Sequence, residues 1–433
     1  MAVAVNSAQK FWNALTSGYA IAVYLIIILI IVGIIIAALI FGSGKTPNVL
    51  KIKNSEFKGE TLNKSNRAET VASGETRFDG LTKIDKRKAE YGRAEYTEEI
   101  SLEELCHSFR NYSAEKLKLY YDIKDIRRFI AGMAVSKIMI LQGMSGTGKT
   151  SLAYAFGEFL DNTSTVIPVQ PMWKERTDLI GYFNEFTKRF NETDLLKKMY
   201  EANYSKDIYV TVLDEMNIAR VEYYFAEFLS LLELPDGEKR KLTVVSDEWA
   251  NDPEQLKEGH IKLPENMWFI GTANNDDSTF AISDKVYDRA MIIDLEEKAE
   301  AFAAAGSEEV HIRAERFKEL AEEAKAEYKL TERNRRRLEK LDKYMKETFR
   351  VTFGNRIKRQ IEEYVPVYVS CGGDETEALD DILAKKVIRK LGMQNPVYIK
   401  NNAEKFKRYI EELYGEEGLP ICKSHLDRLL KNS

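Results

Sequence analysis

Four short stretches hold residue types that could do chemistry on a phosphate. The apolar run Ile138-Met-Ile-Leu-Gln is followed by Gly143-Met144-Ser145-Gly146-Thr147-Gly148-Lys149-Thr150, and a helical pattern begins at Ser151. This is G-x-x-x-x-G-K-[ST] between a buried strand and a helix, the setting that gives the spacing its meaning. Glycines let such a backbone curl until its N–H groups point at phosphate oxygens, and the helix N-terminus adds positive potential. Gly143 to Ser151 is therefore the expected phosphate-binding run, with Lys149 reaching the β- and γ-phosphates and the Thr150 hydroxyl on Mg²⁺.

Three further stretches fit that run. Val210-Thr-Val-Leu213 ends in the adjacent carboxylates Asp214 and Glu215. Asp214 would hold Mg²⁺ through its water shell, and Glu215 would orient and activate an attacking water. Trp268-Phe-Ile-Gly-Thr-Ala ends in Asn274, whose amide could bond the γ-phosphate or that water, with Asn275 as second choice. Asp284-Lys-Val-Tyr-Asp-Arg289 stands just before another apolar run, where an arginine could cross a subunit boundary and neutralise transition-state charge. Arg220 is the alternative finger.

These residues need a frame, and the chain supplies five candidate strands separated by helix-length segments. They are Lys137–Gly143, Ser164–Val169, Ile208–Leu213, Met267–Thr272 and Ala290–Leu295. The alternation predicts an α/β parallel sheet covered by helices on both faces, with ligands at the carboxyl ends of the strands.

With 433 residues, two or three units are expected. A net charge of -5 gives no overall basic footprint for nucleic acid, though a local patch is open. Cys106, Cys371 and Cys422 lie far apart and the four histidines show no ligand spacing, which argues against a disulfide framework or a zinc site. After a short segment 1–18, Tyr19 to Phe41 contains no charge and would extend about 34 Å as a helix, enough for a single N-terminal transmembrane span. Lys45, Lys51 and Lys53 follow it against Lys10 ahead of it, so a single-pass membrane protein with its bulk in the cytoplasm is expected. Residues 42–97 are polar and read as a flexible tether, with short ordered pieces near Phe78–Ile84.

The four motifs together resemble AAA+ ATPases, closest to the McrB-like branch near the MoxR and dynein-related clade. The resemblance covers Ser101 to Leu391. It implies Walker A at Gly143–Thr150, Walker B at Asp214 and Glu215, sensor one at Asn274 and a finger-type arginine at Arg289. It also implies a P-loop NTPase domain over 98–298 and a helical lid with C-terminal helices over 299–433. Phe353-Gly-Asn-Arg356 resembles the start of a lid helix, making Arg356 the sensor-two candidate and Arg359 the fallback. Further implications are a homo-oligomeric ring, usually hexameric, and ATP as the nucleotide, with GTP as the alternative. In that clade the second helix carries an insertion and a hairpin precedes the sensor strand, positions matched by Pro171–Phe190 and Lys241–Glu265. Trp173, Tyr182 and Phe183 are candidates for engaging a partner, with aromatic packing as the competing reading.

The C-terminal third has amphipathic helical spacing at Phe317, Leu320, Ala324 and Tyr328, then a basic cluster at Thr331–Arg337, for which a solvated helix face is the default. Glu377–Leu391 reads as a lid helix, and Asn402–Leu430 as two short helices. The expected function is a membrane-anchored ATPase ring that remodels or translocates a partner, with nucleic acid engagement open. Its specific form would be the McrB-like NTPase subunit of a defence system, and a MoxR-like chaperone and a nucleotide-gated scaffold are the alternatives.

Overall fold

The architecture follows from five short apolar runs that can bury themselves only between two layers of helices. In the computed structural model, residues 76–431 are described, apart from 94, 275–278 and 297. They belong to one compact unit, Ala72–Ser433. In chain order the first elements are α1 (Asp79–Lys86), α2 (Leu102–Lys116), α3 (Ile123–Val135), β1 (Ile138–Gly143), α4 (Lys149–Phe159) and β2 (Thr165–Pro168). A one-turn helix α5 (Thr177–Ile180) leads to the hairpin strands β3 (Gly181–Asn184) and β4 (Arg189–Glu192), then α6 (Asp194–Ala202) and β5 (Tyr209–Asp214). Short helices α7 (Val221–Tyr224) and α8 (Ala226–Leu231) precede a second hairpin, β6 (Lys241–Thr243) and β7 (His260–Lys262). The core closes with β8 (Met267–Asn274), α9 (Asp284–Tyr287) and β9 (Met291–Asp294).

The main sheet has the order β2-β5-β8-β1-β9, and all of its pairings are parallel. Each expected strand appears. The three central strands are buried along nearly their whole length, as strands covered on both faces must be. Their side chains divide by parity between two cores: Met139, Leu141, Trp268 and Ile270 enter one, while Ile138, Ile140, Met267 and Phe269 enter the other. The edge strand β2 alternates half-buried and exposed residues and ends in Pro168, where a missing N–H costs no ladder bond. The hairpins β3–β4 and β6–β7 are both antiparallel; the first begins within Pro171–Phe190 and ends at Glu192, and the second falls within Lys241–Glu265.

Helix α1 lies inside the segment expected to be a tether, at the Phe78–Ile84 stretch. Phe78 and Leu81 are fully buried, and Phe78 stacks on Phe190 of the β3–β4 hairpin at 4.9 Å between ring centroids. Three apolar side chains at helical spacing are enough to tie this otherwise polar segment to the core. Glu192 accepts from the backbone N–H groups of Gly80 and Leu81 and so satisfies donors of the first turn.

Beyond the sheet come α10 (Ala314–Glu327), α11 (Glu332–Phe349), α12 (Asn355–Ser370), α13 (Glu375–Lys386), α14 (Pro396–Tyr414) and α15 (Pro420–Lys431). They share the core that contains Met139 and Ile270, so the C-terminal helices pack directly on the sheet's covering layer. The expectation of two short helices over Asn402–Leu430 is corrected at its start: α14 has 19 residues and begins at Pro396, with Asn395 capping it. All three cysteines are free and buried.

The expectation of a single-pass membrane protein is also corrected. Among the described residues no helix is long and apolar enough to cross a membrane. The helices of 14 residues or more each carry charged side chains along one face, as α10 and α11 do throughout. Tyr19–Phe41 lies outside the described residues.

Candidate functional site

The carboxyl end of the sheet gathers the first three motifs. Gly143 ends β1 and Gly148 caps α4, so the loop between them turns from strand to helix. Gly146 and Gly148 have φ of +80° and +92°, a region that glycine enters without a Cβ penalty. Nothing lies within 4 Å of the Cβ that Gly146 lacks, which leaves the cradle open for an anion. Lys149 is buried, and its Nζ donates to the carbonyls of Gly143 at 3.1 Å and Met144 at 2.6 Å, across the loop it belongs to.

Thr150, on the first turn of α4, donates its hydroxyl to Asp214 Oδ1 at 2.6 Å. Thr272 of β8 donates to the same oxygen at 2.8 Å, and its Oγ1 accepts the backbone N–H of Glu215 at 2.8 Å. One threonine thus fixes both carboxylate residues. Glu215 sits at φ +52°, an uncommon conformation for a non-glycine residue, and is exposed beyond the strand end. Such a backbone costs on the order of 1 kcal/mol and persists where surroundings impose it. Here Gly271 helps: a Cβ there would fall 1.9 Å from Met216 Sδ, so only glycine lets the turn after Asp214 press against β8.

Asn274 is the last residue of β8 and lies beside Gly143 in the parallel register. Its carbonyl accepts from Asn217 Nδ2 at 2.9 Å and from Thr279 Oγ1 at 3.0 Å. Asn275 lies outside the described residues. Asn217, whose Oδ1 is buried without a hydrogen-bond partner, and Thr272 are the two site residues that sequence reasoning missed. Their signal was positional, since both stand within three residues of an assigned motif.

Thr150 Oγ1 and Asp214 Oδ1 are hard oxygen donors, the kind that suit Mg²⁺ bound through one or two protein groups and substrate phosphates. Among the described residues no group of three or more His, Cys, Asp or Glu could hold a metal by itself. The donor set and the open glycine cradle fit a Mg²⁺–nucleotide complex. Tyr121 packs against the loop, its hydroxyl 3.4 Å from the Gly148 carbonyl, and burial pushes its phenol up in pKa.

Arg289 and Arg356 are elsewhere. Met139 of β1 pairs with Met291, so Arg289 lies level with Lys137 at the amino end of the sheet. That is six residues before Gly143, or about 20 Å along the strands. Arg356 opens α12 at the same end, and Glu233 binds both guanidiniums, Arg289 at 3.2 Å and Arg356 at 2.5 Å. The structure brings these two arginines together and keeps both away from the phosphate loop of their own chain. Arg220 is half exposed near the carboxyl end, its guanidinium 5.0 Å over Phe280. Arg359 is largely exposed and 4.0 Å from Glu363.

The C-terminal helices hold the turn that carries Arg289. Lys386 of α13 donates to the carbonyls of Tyr287 and Ala290, while Arg389 and Lys390 pair with Asp284 and Asp288. Burial lowers the Lys386 pKa to about 7. The preceding residue, Lys385, pairs with Asp294 at the other end of β9, where Gln142 also donates to it. Burial raises the Asp294 pKa, but the Lys385 charge, the nearby His425 ring and hydrogen bonds from Lys385 and Gln142 outweigh it and hold the carboxyl well below its usual range.

Of the aromatic candidates, Trp173 packs edge-on against Tyr224 and Phe183 against Trp249, and both are half-buried. Tyr182 is half exposed, and Phe186, at the tip of the β3–β4 hairpin, is fully exposed.

Comparison with known proteins agrees with this geometry. Residues 138–290 match the AAA domain of the dynein-related subfamily. Over that region the chain is therefore similar to AAA domains, which are P-loop nucleotide-binding modules. Within that class the match is to the dynein-related branch; the McrB-like assignment is finer than the match reaches. Residues 306–433 match a domain of unknown function, DUF8727. Among solved structures the chain is similar to a Cytophaga hutchinsonii protein assigned as an ATPase, at 12% identity and TM-score 0.46, covering 76% of this chain and 98% of that one. It is also similar to a full-length MCM homolog from Methanopyrus kandleri, at 13% identity and TM-score 0.37, covering 65% of this chain and 58% of that one. No curated protein matches the chain.

Proposed function

We propose that this chain is the ATP-hydrolysing subunit of a homo-oligomeric ring, usually six-membered in such proteins, in which each subunit completes its neighbour's site. One observation carries the reading: Arg289 and Arg356 sit together about 20 Å along the strands from the phosphate loop of their own chain. The position suits arginines presented to the nucleotide of the next subunit.

Within one site, the Gly143–Ser151 run and Lys149 would bind the triphosphate, with Thr150 and Asp214 holding Mg²⁺. The metal would supply charge neutralisation at the phosphates. Glu215, free beyond the strand end, would accept a proton from the attacking water. Asn274 would orient that water from the neighbouring strand. Arg289, with Arg356 beside it, would offset charge developing on the transferred phosphoryl group. ATP is proposed over GTP because ATP is the commoner nucleotide among AAA+ proteins.

The exposed Phe186 and Tyr182 on the β3–β4 hairpin support a ring that acts on a separate partner, as a remodelling or translocating motor. The motif likeness to McrB-type subunits makes a nuclease-type effector the first partner class to try. A client protein complex, as for MoxR-like chaperones, is the second.

The test is a mixing experiment. Glu215→Gln and Arg289→Ala are each expected to abolish turnover, while equal mixtures recover part of it because one subunit supplies the finger and the other the base. Mixed rings that form, as seen by native mass spectrometry, yet stay inactive would overturn the shared site.

A further inference from the structure

We propose that Glu233 is an internal stand-in for the terminal phosphate of the neighbour's nucleotide: it holds Arg289 and Arg356 together in the free subunit and yields when the ring closes. This rests on the reading that both arginines serve a neighbouring site.

Three separate elements meet at this carboxylate. Glu233 follows α8, Arg289 follows α9, and Arg356 opens α12 of the lid. Each carboxylate oxygen takes one guanidinium, Oε2 with Arg289 and Oε1 with Arg356. One anion between two guanidiniums is also how a phosphoryl group would be gripped. The loop carrying Glu233 is fixed rather than pliable, because Arg240 donates twice to the Leu234 carbonyl, at 2.9 and 2.6 Å.

The side chains of Glu233, Arg289 and Arg356 are 34%, 25% and 41% exposed. An incoming anion can therefore reach the guanidiniums without unpacking the core. A terminal phosphate offers more negative charge and three oxygens, so it outcompetes a single carboxylate for the pair. Beside the cluster lies a cavity of about 750 Å³, room for an incoming phosphate, whose walls carry both signs, among them Lys206, Lys318 and Arg359 with Glu265, Glu315 and Glu363. Glu233 thus pre-sets the spacing of the two arginines and at the same time raises the concentration at which subunits engage.

The experiment reads ATP turnover against subunit concentration for full-length protein at saturating Mg²⁺–ATP. Glu233→Gln removes the competing charge and is expected to lower the concentration of half-maximal specific turnover about fivefold, the scale set by two half-exposed ion pairs. The difference from wild type should shrink as salt is raised, since screening weakens the same pairs. Glu233→Asp keeps the charge but is a methylene too short to span both arginines, and should shift the midpoint the same way by less. It also serves if the Gln variant does not fold. A midpoint that is unchanged or raised in a folded variant overturns the proposal, as does a shift indifferent to salt, the mark of a merely structural effect. The Glu215→Gln and Arg289→Ala mixture separates the two ideas. If it recovers activity while the Glu233 midpoint stays put, only the stand-in fails; if it does not recover, the shared site fails first.

Discussion

The two ends of the parallel sheet are built to opposite plans. At the carboxyl end, Thr150, Asp214, Thr272 and Glu215 are joined within one chain by hydrogen bonds of 2.6 to 2.8 Å. At the amino end, Arg289 and Arg356 are occupied by an acid of their own chain and have nothing of the phosphate loop within reach. One end is a pre-organised cradle, and the other holds cations in reserve. A parallel sheet makes this division unavoidable, because it sends every strand's carboxyl terminus to one side. Arg289, which precedes β9, therefore starts about 20 Å along the strands from the phosphate loop of its own chain.

The comparison can be broken most directly at the cradle. Lys149→Ala should abolish nucleotide binding in an assay with fluorescent ATP, and binding that survives would mean the phosphates lie elsewhere. At the other end, Arg289→Ala should lower turnover by about 10³-fold while leaving that binding intact, the magnitude typical of a finger arginine. A parallel loss of binding would place Arg289 in the cradle's own subunit.

A third variant probes the link between the ends. Asp294→Asn leaves Lys385 buried without its counter-charge and should cost about 3 kcal/mol in urea unfolding. Because the folded Asp294 pKa is depressed, its contribution is present above the ordinary carboxyl value near 4 and is lost as the pH falls below it. The wild type should therefore lose stability through that acid window, and the variant should lose less. The smallest expected effect is at the hairpin tip, where Phe186→Ala should change stability by no more than about 0.5 kcal/mol. Any larger consequence should appear only as lost stimulation of turnover by a partner.

Much of the cradle end could be read from the chain because its signals are local. Short apolar runs ending in Gly143, Asp214 and Asn274 place strand, turn and chemistry within a few residues of one another. Glu233 could not be found that way. Its partners arrive from α9 and α12, and a single glutamate after a short helix has no spacing that announces them. Thr272 was hidden differently, as one hydroxyl in an apolar strand whose role depends on the register with β5. Helix α1 was legible only as a short ordered piece near Phe78–Ile84, because three buried apolar residues sit among lysines and acids. For α14, the proline at its first position was a usable start signal.

Two adjacent lysines on α13 have a mechanical consequence. Lys385 grips Asp294 beside the phosphate loop, and Lys386 grips the turn that carries Arg289, so one helix clasps β9 at both ends. A rod fastened at two points transmits a tilt that a loop would absorb. In the ring proposed above, a tilt of α13 would also re-aim the arginine that each subunit offers to the next.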